Sequence, residues 1–142
     1  MAILILGECW PYRNLRSIVD NSQIRFIAQA CNLSIEEFAN VFSVEYLIEH
    51  YVPSHKHHTL EYVMLLRSQW QAKKERYIKY DVVLVIGKRL LSLTGTNALF
   101  YTKQHHSPII GIPNPLAQYY WLDKTTIKQL QQFLKMLLLT HS

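Results

Sequence analysis

An apolar run at the start of the chain, Ala2 to Leu6, stops abruptly at Gly7 and Glu8. Long aliphatic and β-branched side chains with no turn residue among them are typical of a strand buried on both faces of a sheet. A glycine and then a carboxylate at the carboxyl end of such a strand put a charged group at the edge where open α/β sheets bind ligands. The run therefore predicts an α/β fold with a functional carboxylate at the end of its first strand.

Strands and helices alternate along the rest of the sequence. We predict strands at about 2–6, 40–43, 81–86 and 108–112, and helices near 21–31, after a capping box that starts at Ser34, over 58–79, near 88–94 and after Asp123. The helix over 58–79 is predicted from apolar residues at helical spacing, namely Leu60, Val63, Leu66, Trp70 and Tyr77. This alternation predicts a three-layer α/β/α sandwich with a short four-stranded, mainly parallel sheet. No repeat or linker divides the sequence, so we expect a single domain over residues 1–142.

Composition and charge narrow the class of protein. Hydrophobic residues make up 49% of the chain and charged residues 18%, which favours a globular domain over a disordered chain. No apolar stretch is long enough for a membrane helix, and Glu8 interrupts the N-terminal run too early for a secretion signal. Two cysteines, Cys9 and Cys31, are too few for a disulfide framework or a four-thiolate cluster. We therefore expect a cytoplasmic protein with no cofactor and no membrane attachment.

The net charge of +5 is concentrated in the middle of the chain. Residues 56–103 hold nine Lys or Arg against three acidic residues, a balance of +6, whereas residues 1–55 hold three Arg against six acidic residues, a balance of −3. Basic segments of this kind contact phosphate in nucleic-acid-binding proteins and form a solvated helix face in others. Both interpretations remain open from the sequence.

Metal and small-nucleotide sites are not indicated by the sequence. His55, His57 and His58 are loosely spaced, and no Cys or carboxylate lies close enough in sequence to complete a tetrahedral set. The glycine patterns GxGxxG and GxxxxGK, which cradle phosphates in nucleotide-binding α/β proteins, are absent. We expect no metal ligand and no phosphate-binding loop.

Polar or turn residues follow four predicted strands: Gly7 and Glu8, Asn40 to Ser43, Gly87 and Lys88, and Asn114 and Pro115. In that order, segments 4–10, 39–43, 82–88 and 112–121 resemble motifs of the uracil-DNA glycosylase superfamily, especially its small phage-type and thermophile-type branches. Members of those branches carry a Gly-Glu-Ala motif, a Thr-Asn-Val-Phe-Asn-like strand, a Val-Val-Leu-Leu-Gly strand, and an Ile-Pro-His-Pro-Ser-Gly loop before a Trp-rich turn. The resemblance covers nearly the whole chain.

The resemblance implies a DNA repair enzyme that flips a base out of DNA and cleaves its glycosidic bond with water. Glu8 matches the carboxylate that stabilises the sugar cation and orients or deprotonates water. Asn114 stands where most members have a histidine that donates a hydrogen bond to the base, and an amide also donates. The residues expected to bind the base or DNA are Gly7, Trp10, Tyr12, Asn40, Lys88, Pro115, Leu116 and Tyr119.

Departures from the family pattern leave a second hypothesis open. Besides Asn114 in place of histidine, Leu116 and Ala117 replace the Ser-Gly pair that helps to grip a phosphate, and the stacking Phe after the first motif is missing. Leu116 either wedges into the base stack or simply packs, and Tyr12 either replaces the Phe or packs in a loop. The presence of Glu8 favours a DNA glycosylase, whereas the departures favour a catalytically inactive protein of the same fold that binds DNA or a protein partner.

Overall fold

The computed structural model describes residues 2–13, 21–96, 98–100, 108–113 and 124–141. Its strands are β1 (Ile3–Trp10), β2 (Phe42–Tyr51), β3 (Val82–Ile86) and β4 (Ile109–Ile112). Its helices are α1 (Ser22–Ala30), α2 (Ile35–Val41), α3 (Leu60–Tyr77), α4 (Lys88–Leu93) and α5 (Lys124–His141), with a short 3₁₀ helix at Ser54–Lys56. The predicted alternation of strands and helices is confirmed in this part of the chain.

The four strands form one sheet in the order β2-β1-β3-β4, and every neighbouring pair is parallel. The chain therefore moves to one side of β1 to form β2 and to the other side to form β3 and β4. The strand order reverses between β1 and β3, and open α/β sheets bind ligands in the crevice at the carboxyl ends of such strands. Glu8 lies in β1 near that edge.

Helices cover both faces of the sheet. Ile3 and Ile5 of β1 pack in one apolar cluster with residues of α1, α2 and α5. Leu4 and Leu6 point to the opposite face and pack in a second cluster with residues of α3 and α4. The alternation of side chains along a strand explains why the whole run from Ile3 to Leu6 is apolar. The predicted three-layer α/β/α sandwich is confirmed.

Polar side chains cap the amino ends of α1 and α2. Asn21 caps α1, since its Oδ1 accepts hydrogen bonds from the backbone N–H groups of Gln23 and Ile24 at 3.0 and 3.4 Å. Ser34 and Glu37 form the expected capping box at the start of α2, with both bonds at 3.1 Å. Such caps satisfy backbone donors that a helix leaves unpaired.

The strand predicted at 40–43 is wrong in its position and length. Asn40 is an exposed residue of α2, and β2 begins only at Phe42, which pairs with Ile3 at the amino end of β1. Asn40 therefore lies near the amino ends of the strands, whereas Glu8 lies near their carboxyl ends. The capping box at Ser34 begins a helix that runs to Val41 and so includes Asn40. β2 continues to Tyr51 because an edge strand tolerates charged residues such as Glu45.

The prediction for the apolar face of α3 also needs a correction. Leu66, Trp70 and Tyr77 are buried as expected, but Leu60, the first residue of the helix, is 73% exposed. Among the described helices, none is both long enough and apolar enough to span a lipid bilayer.

Candidate functional site

A cleft of about 440 Å³ opens at the carboxyl ends of the two central strands. The end of β1 forms one wall, and the turn from β3 into α4 forms another. The described residues that line it are Gly7 to Pro11, Gln23, Tyr46, Tyr51, Val52, Ser54, His57, Ile86, Gly87 and Arg89. The cleft therefore lies at the position where the reversal in strand order predicts a ligand site.

Glu8 is held in the cleft by a two-point contact with Arg89. The Nη2 of Arg89 lies 2.5 Å from Oε1 of Glu8, and its Nε lies 3.1 Å from Oε2. The side chain of Glu8 is 17% exposed and that of Arg89 is 38% exposed. The hydrogen bond to Glu8 raises the pKa of Arg89. This paired geometry fixes the orientation of the carboxylate.

Tyr62 supports the same ion pair from α3. Its hydroxyl donates to Oε1 of Glu8 at 2.7 Å, and the guanidinium of Arg89 lies over its ring, 5.2 Å from the centroid. Burial and then the negative charge of Glu8 raise the pKa of the Tyr62 phenol. Tyr62 is therefore a hydrogen-bond donor to the carboxylate and not a base.

His57 stacks on Tyr62, with ring centroids 4.5 Å apart and an angle of 9° between the planes. Its Nε2 lies 2.8 Å from the carbonyl oxygen of Val52, which can only accept, so this nitrogen carries a hydrogen. The Sγ of Cys9 lies 3.6 Å from the same Nε2. Because Nε2 is already protonated it cannot take the thiol proton, and burial raises the pKa of Cys9. The pair lacks the chemistry of a Cys–His nucleophile.

Gly7 leaves room for the ring of Tyr46. Gly7 pairs with Tyr46 across β1 and β2, and a Cβ at Gly7 would lie 2.5 Å from Cε1 of that ring. Tyr46 is fixed by two further side chains: Asn21 Nδ2 donates to its hydroxyl at 2.6 Å, and the hydroxyl donates to Gln23 Oε1 at 2.9 Å. Burial raises the pKa of Tyr46 to about 12. The floor of the cleft is thus a rigid, neutral, hydrogen-bonded aromatic surface.

Gly87 has a different reason to be glycine. It ends β3 and precedes α4 with φ of 93°, a backbone conformation that side chains other than glycine rarely adopt. Its N–H donates to the carbonyl of Ile112 at 2.9 Å, which ties the turn to β4. This sharp turn brings Arg89, two residues later, back over the end of β1.

Three of the sequence-predicted site residues, Gly7, Glu8 and Trp10, line the cleft. Tyr12 is 37% exposed, is hydrogen-bonded to Ser22, and is not among the described lining residues. Lys88 is exposed at the first position of α4, where its neighbour Arg89 reaches the cleft instead. Asn40 lies near the amino ends of the strands, as described above. The remaining predicted residues, Asn114, Pro115, Leu116 and Tyr119, fall outside the described part of the chain.

The sequence interpretation missed Arg89 and His57, which line the cleft, and Tyr62, which contacts Glu8 from α3. Arg89 had a usable signal, because it follows a glycine that ends a buried strand at the predicted ligand edge. Tyr62 and His57 had none, since their position depends on how α3 and its preceding turn pack against β1. Within residues 2–13, 21–96, 98–100, 108–113 and 124–141, no group of three or more His, Cys, Asp or Glu side chains could hold a metal ion.

A scan against protein-family models found no match, and a search of curated proteins returned no significant match. The geometry of the cleft therefore carries the functional proposal.

Proposed function

We propose that this protein is a DNA glycosylase that hydrolyses the N-glycosidic bond of a uracil-like or modified base flipped out of DNA. The observation that carries the proposal is the position of Glu8, an oriented carboxylate in a cleft of about 440 Å³ at the ends of the two central strands. Pockets of this size hold a small organic ligand such as a base and part of its sugar. The order of the four family-like segments along the chain supports the same proposal.

Glu8 would act on the sugar side of the bond. As the bond between C1′ and the base nitrogen breaks, positive charge develops on the sugar and negative charge on the leaving base. An ionised carboxylate beside C1′ lowers the energy of that transition state. Water then adds its oxygen to C1′ and loses a proton to Glu8 or solvent, while the departing base takes up a proton.

One oxygen of Glu8 remains available for this water. Oε1 accepts from both Arg89 and Tyr62, whereas Oε2 accepts only from Arg89 Nε among the described residues. A carboxylate oxygen accepts about two hydrogen bonds, so Oε2 keeps one acceptor site. Arg89 and Tyr62 thus leave a single direction from which water can be oriented.

The base would be held by aromatic and amide groups. Trp10 lines the cleft and offers an indole face for stacking, as in other proteins that bind extruded bases. Asn114 follows β4 by two residues in the sequence and would donate its amide hydrogen to the base as negative charge builds there. DNA is the proposed partner, and the two free thiols, Cys9 and Cys31, support a reducing, cytoplasmic setting.

A second candidate function rests on the same ion pair. Arg89 donates to both oxygens of the Glu8 carboxylate and Tyr62 donates to one of them, so most of the acceptor sites of Glu8 are already occupied. This observation favours a catalytically inactive protein of the glycosylase fold that uses the cleft to bind DNA or a protein partner.

Base release from uracil-containing oligonucleotides separates the two functions. Single- and double-stranded substrates are incubated with the protein and then cleaved at abasic sites with hot alkali. The enzyme proposal expects strand cleavage with the wild type and a loss of at least about 100-fold with Glu8→Gln. Glu45→Gln is the matched control, because Glu45 also pairs with an arginine at 2.5 Å but lies outside the cleft lining.

Two results would count against the enzyme. Absence of abasic sites with every substrate, while the wild type still binds the oligonucleotides, would leave the binding function. Equal cleavage by wild type and Glu8→Gln would remove Glu8 from the mechanism.

A further inference from the structure

A groove of about 710 Å³ runs between α3 and α4, next to the cleft. Its floor is apolar and includes Leu66, which is only 1% exposed. The polar side chains that line it are Arg67, Gln71, Arg89 and Ser92. Each of these four can donate hydrogen bonds, two of them carry a positive charge, and no carboxylate is among the described lining residues. The groove is therefore complementary to an anion that also has apolar surface.

The helical spacing explains why these donors face one another. Arg67 and Gln71 are four residues apart on α3, and Arg89 and Ser92 are three residues apart on α4. Residues at these separations share one face of a helix. Each of the two helices thus presents two hydrogen-bond donors to the same groove. Binding of a ligand there would not depend on a single side chain.

Arg89 keeps donors available for a ligand although it is paired with Glu8. A guanidinium has five N–H groups. Among the described residues, two are directed to Glu8 and one, on Nη1, donates to the carbonyl oxygen of His57 at 2.6 Å. Two N–H groups remain. Arg67 is exposed, and no described carboxylate lies within ion-pair distance of it.

Arg89 also lines both the cleft and the groove, so the two spaces meet at one side chain. A ligand that enters the cleft and continues past Arg89 would pass directly into the groove. DNA has the matching chemistry, because each nucleotide joins an anionic phosphate to an apolar sugar and base face.

We propose that the groove between α3 and α4 binds the phosphodiester backbone of the DNA strand whose target base occupies the cleft, with Arg67 and Arg89 contacting phosphate oxygens. The identification of the ligand as DNA rests on the proposed function. The groove adds a binding site that the glycosylase-like sequence segments do not include, since α3 lies between the second and third of them.

The test measures binding without catalysis. A fluorescein-labelled single-stranded oligothymidylate is titrated with the protein at several salt concentrations, and its anisotropy gives Kd. Arg67→Gln is compared with Arg25→Gln, which removes the same charge from an exposed position on α1, on the opposite face of the sheet. Loss of one phosphate contact lowers the slope of log K against log salt by about 0.7, which corresponds to about five-fold weaker binding near 0.1 M salt. We expect this change for Arg67→Gln and none for Arg25→Gln.

Two outcomes would overturn the groove proposal. The first is a salt slope and Kd for Arg67→Gln that match those of Arg25→Gln. The second is displacement of the oligothymidylate by polyglutamate at equal charge concentration with equal efficiency, because the groove would then bind acidic peptides as readily as phosphate.

The same variants separate this proposal from the glycosylase proposal. If neither the wild type nor any variant releases uracil but Arg67→Gln still weakens oligothymidylate binding, the glycosylase proposal is wrong and the groove proposal is supported. If Glu8→Gln abolishes base release while Arg67→Gln binds DNA as well as the Arg25→Gln control, the glycosylase stands and the groove fails.

Discussion

Arg89 and Glu8 are separated by 81 residues in the sequence, yet two nitrogens of the guanidinium contact both oxygens of the carboxylate. Arg76 of α3 and Glu45 of the edge strand β2 form an ion pair with the same shortest distance of 2.5 Å. The two pairs differ in environment, since Glu8 and Arg89 are 17% and 38% exposed whereas Glu45 and Arg76 are 26% and 52% exposed. Ion pairs contribute more when water screens them less, so the pairs should differ in their effect on stability.

Removing the arginines tests this difference. Arg89→Ala leaves a half-buried carboxylate without its cation and removes the cation–π contact with Tyr62, so we expect a loss of about 2 kcal/mol in the free energy of unfolding. Arg76→Ala breaks a more exposed ion pair and a cation–π contact with Tyr77, and it should cost less than about 1 kcal/mol. Urea unfolding at neutral pH measures both. Equal losses would show that the burial of Glu8 has no energetic consequence.

Gly7→Ala tests the close approach of Tyr46. The new Cβ would lie 2.5 Å from the tyrosine ring, which is already held by Asn21 and Gln23, so the ring must move out of its site. We expect a loss of about 1–3 kcal/mol in stability, as for other overpacked interiors. The Tyr46→Leu variant lacks the ring that the new Cβ would meet. Adding Gly7→Ala to that variant should therefore lower the free energy of unfolding by clearly less. An equal cost in both backgrounds would contradict the proposed clash.

Burial of Tyr46 predicts a loss of stability in alkali. Its pKa is raised from 10.0 to about 12 in the folded protein, so the stabilisation is complete below pH 10. Between pH 10 and 12 the unfolded chain loses the phenolic proton and the folded one keeps it. Stability therefore falls as pH rises through this window, by up to about 1.4 kcal/mol per pH unit from this group.

Tyr46→Phe isolates this contribution. The variant should be less stable at neutral pH because Asn21 and Gln23 lose their hydroxyl partner, but its stability should fall less steeply above pH 10. Urea midpoints of both proteins across this range give the comparison. Equal slopes of stability against pH for the two proteins would mean that folding does not raise the pKa of Tyr46.

Thiol reactivity follows from burial as well. Desolvation raises the pKa of Cys31 to about 12 and raises that of Cys9, so few thiolates exist at mildly alkaline pH. We expect both thiols to react with an aromatic disulfide reagent about 100-fold more slowly in the folded protein than in urea. A Cys31→Ser variant reports Cys9 alone. Rates equal to those of the unfolded chain would refute the burial of either thiol.

The sequence predicts the order of the elements well because most of them bury a continuous apolar pattern. The run from Val82 to Ile86 and the cap at Ser34 both identify their elements correctly. The prediction fails at β2, where Glu45, Glu49 and His50 interrupt the apolar pattern. An edge strand has one unpaired side, and charged residues are accepted there because they need not be buried.

The candidate site is only partly predictable for a different reason. Glu8 is found because the end of a buried strand marks the ligand edge. Arg89 lies two residues after the glycine that ends β3, which marks its position at the ligand edge but not its contact with Glu8. Tyr62 reaches Glu8 from α3, which is distant in sequence, and no local pattern identifies it. Gly7 is predicted in the right place, but its structural role is the close contact with Tyr46, which depends on the register between β1 and β2.

The central position of β1 also sets an order of events during synthesis. β1 emerges from the ribosome before both of its neighbours, and one of them, β3, begins only at Val82. Until then one edge of β1 has no strand to pair with, and contacts this distant in sequence form slowly. While residues 11–81 are being synthesised, the nascent chain therefore carries Glu8 without the part of the cleft that β3 and α4 form. Glu8 can form its ion pair only after Arg89 has left the ribosome. A chain that terminates before that point leaves one edge of β1 unpaired, and unpaired strand edges promote aggregation.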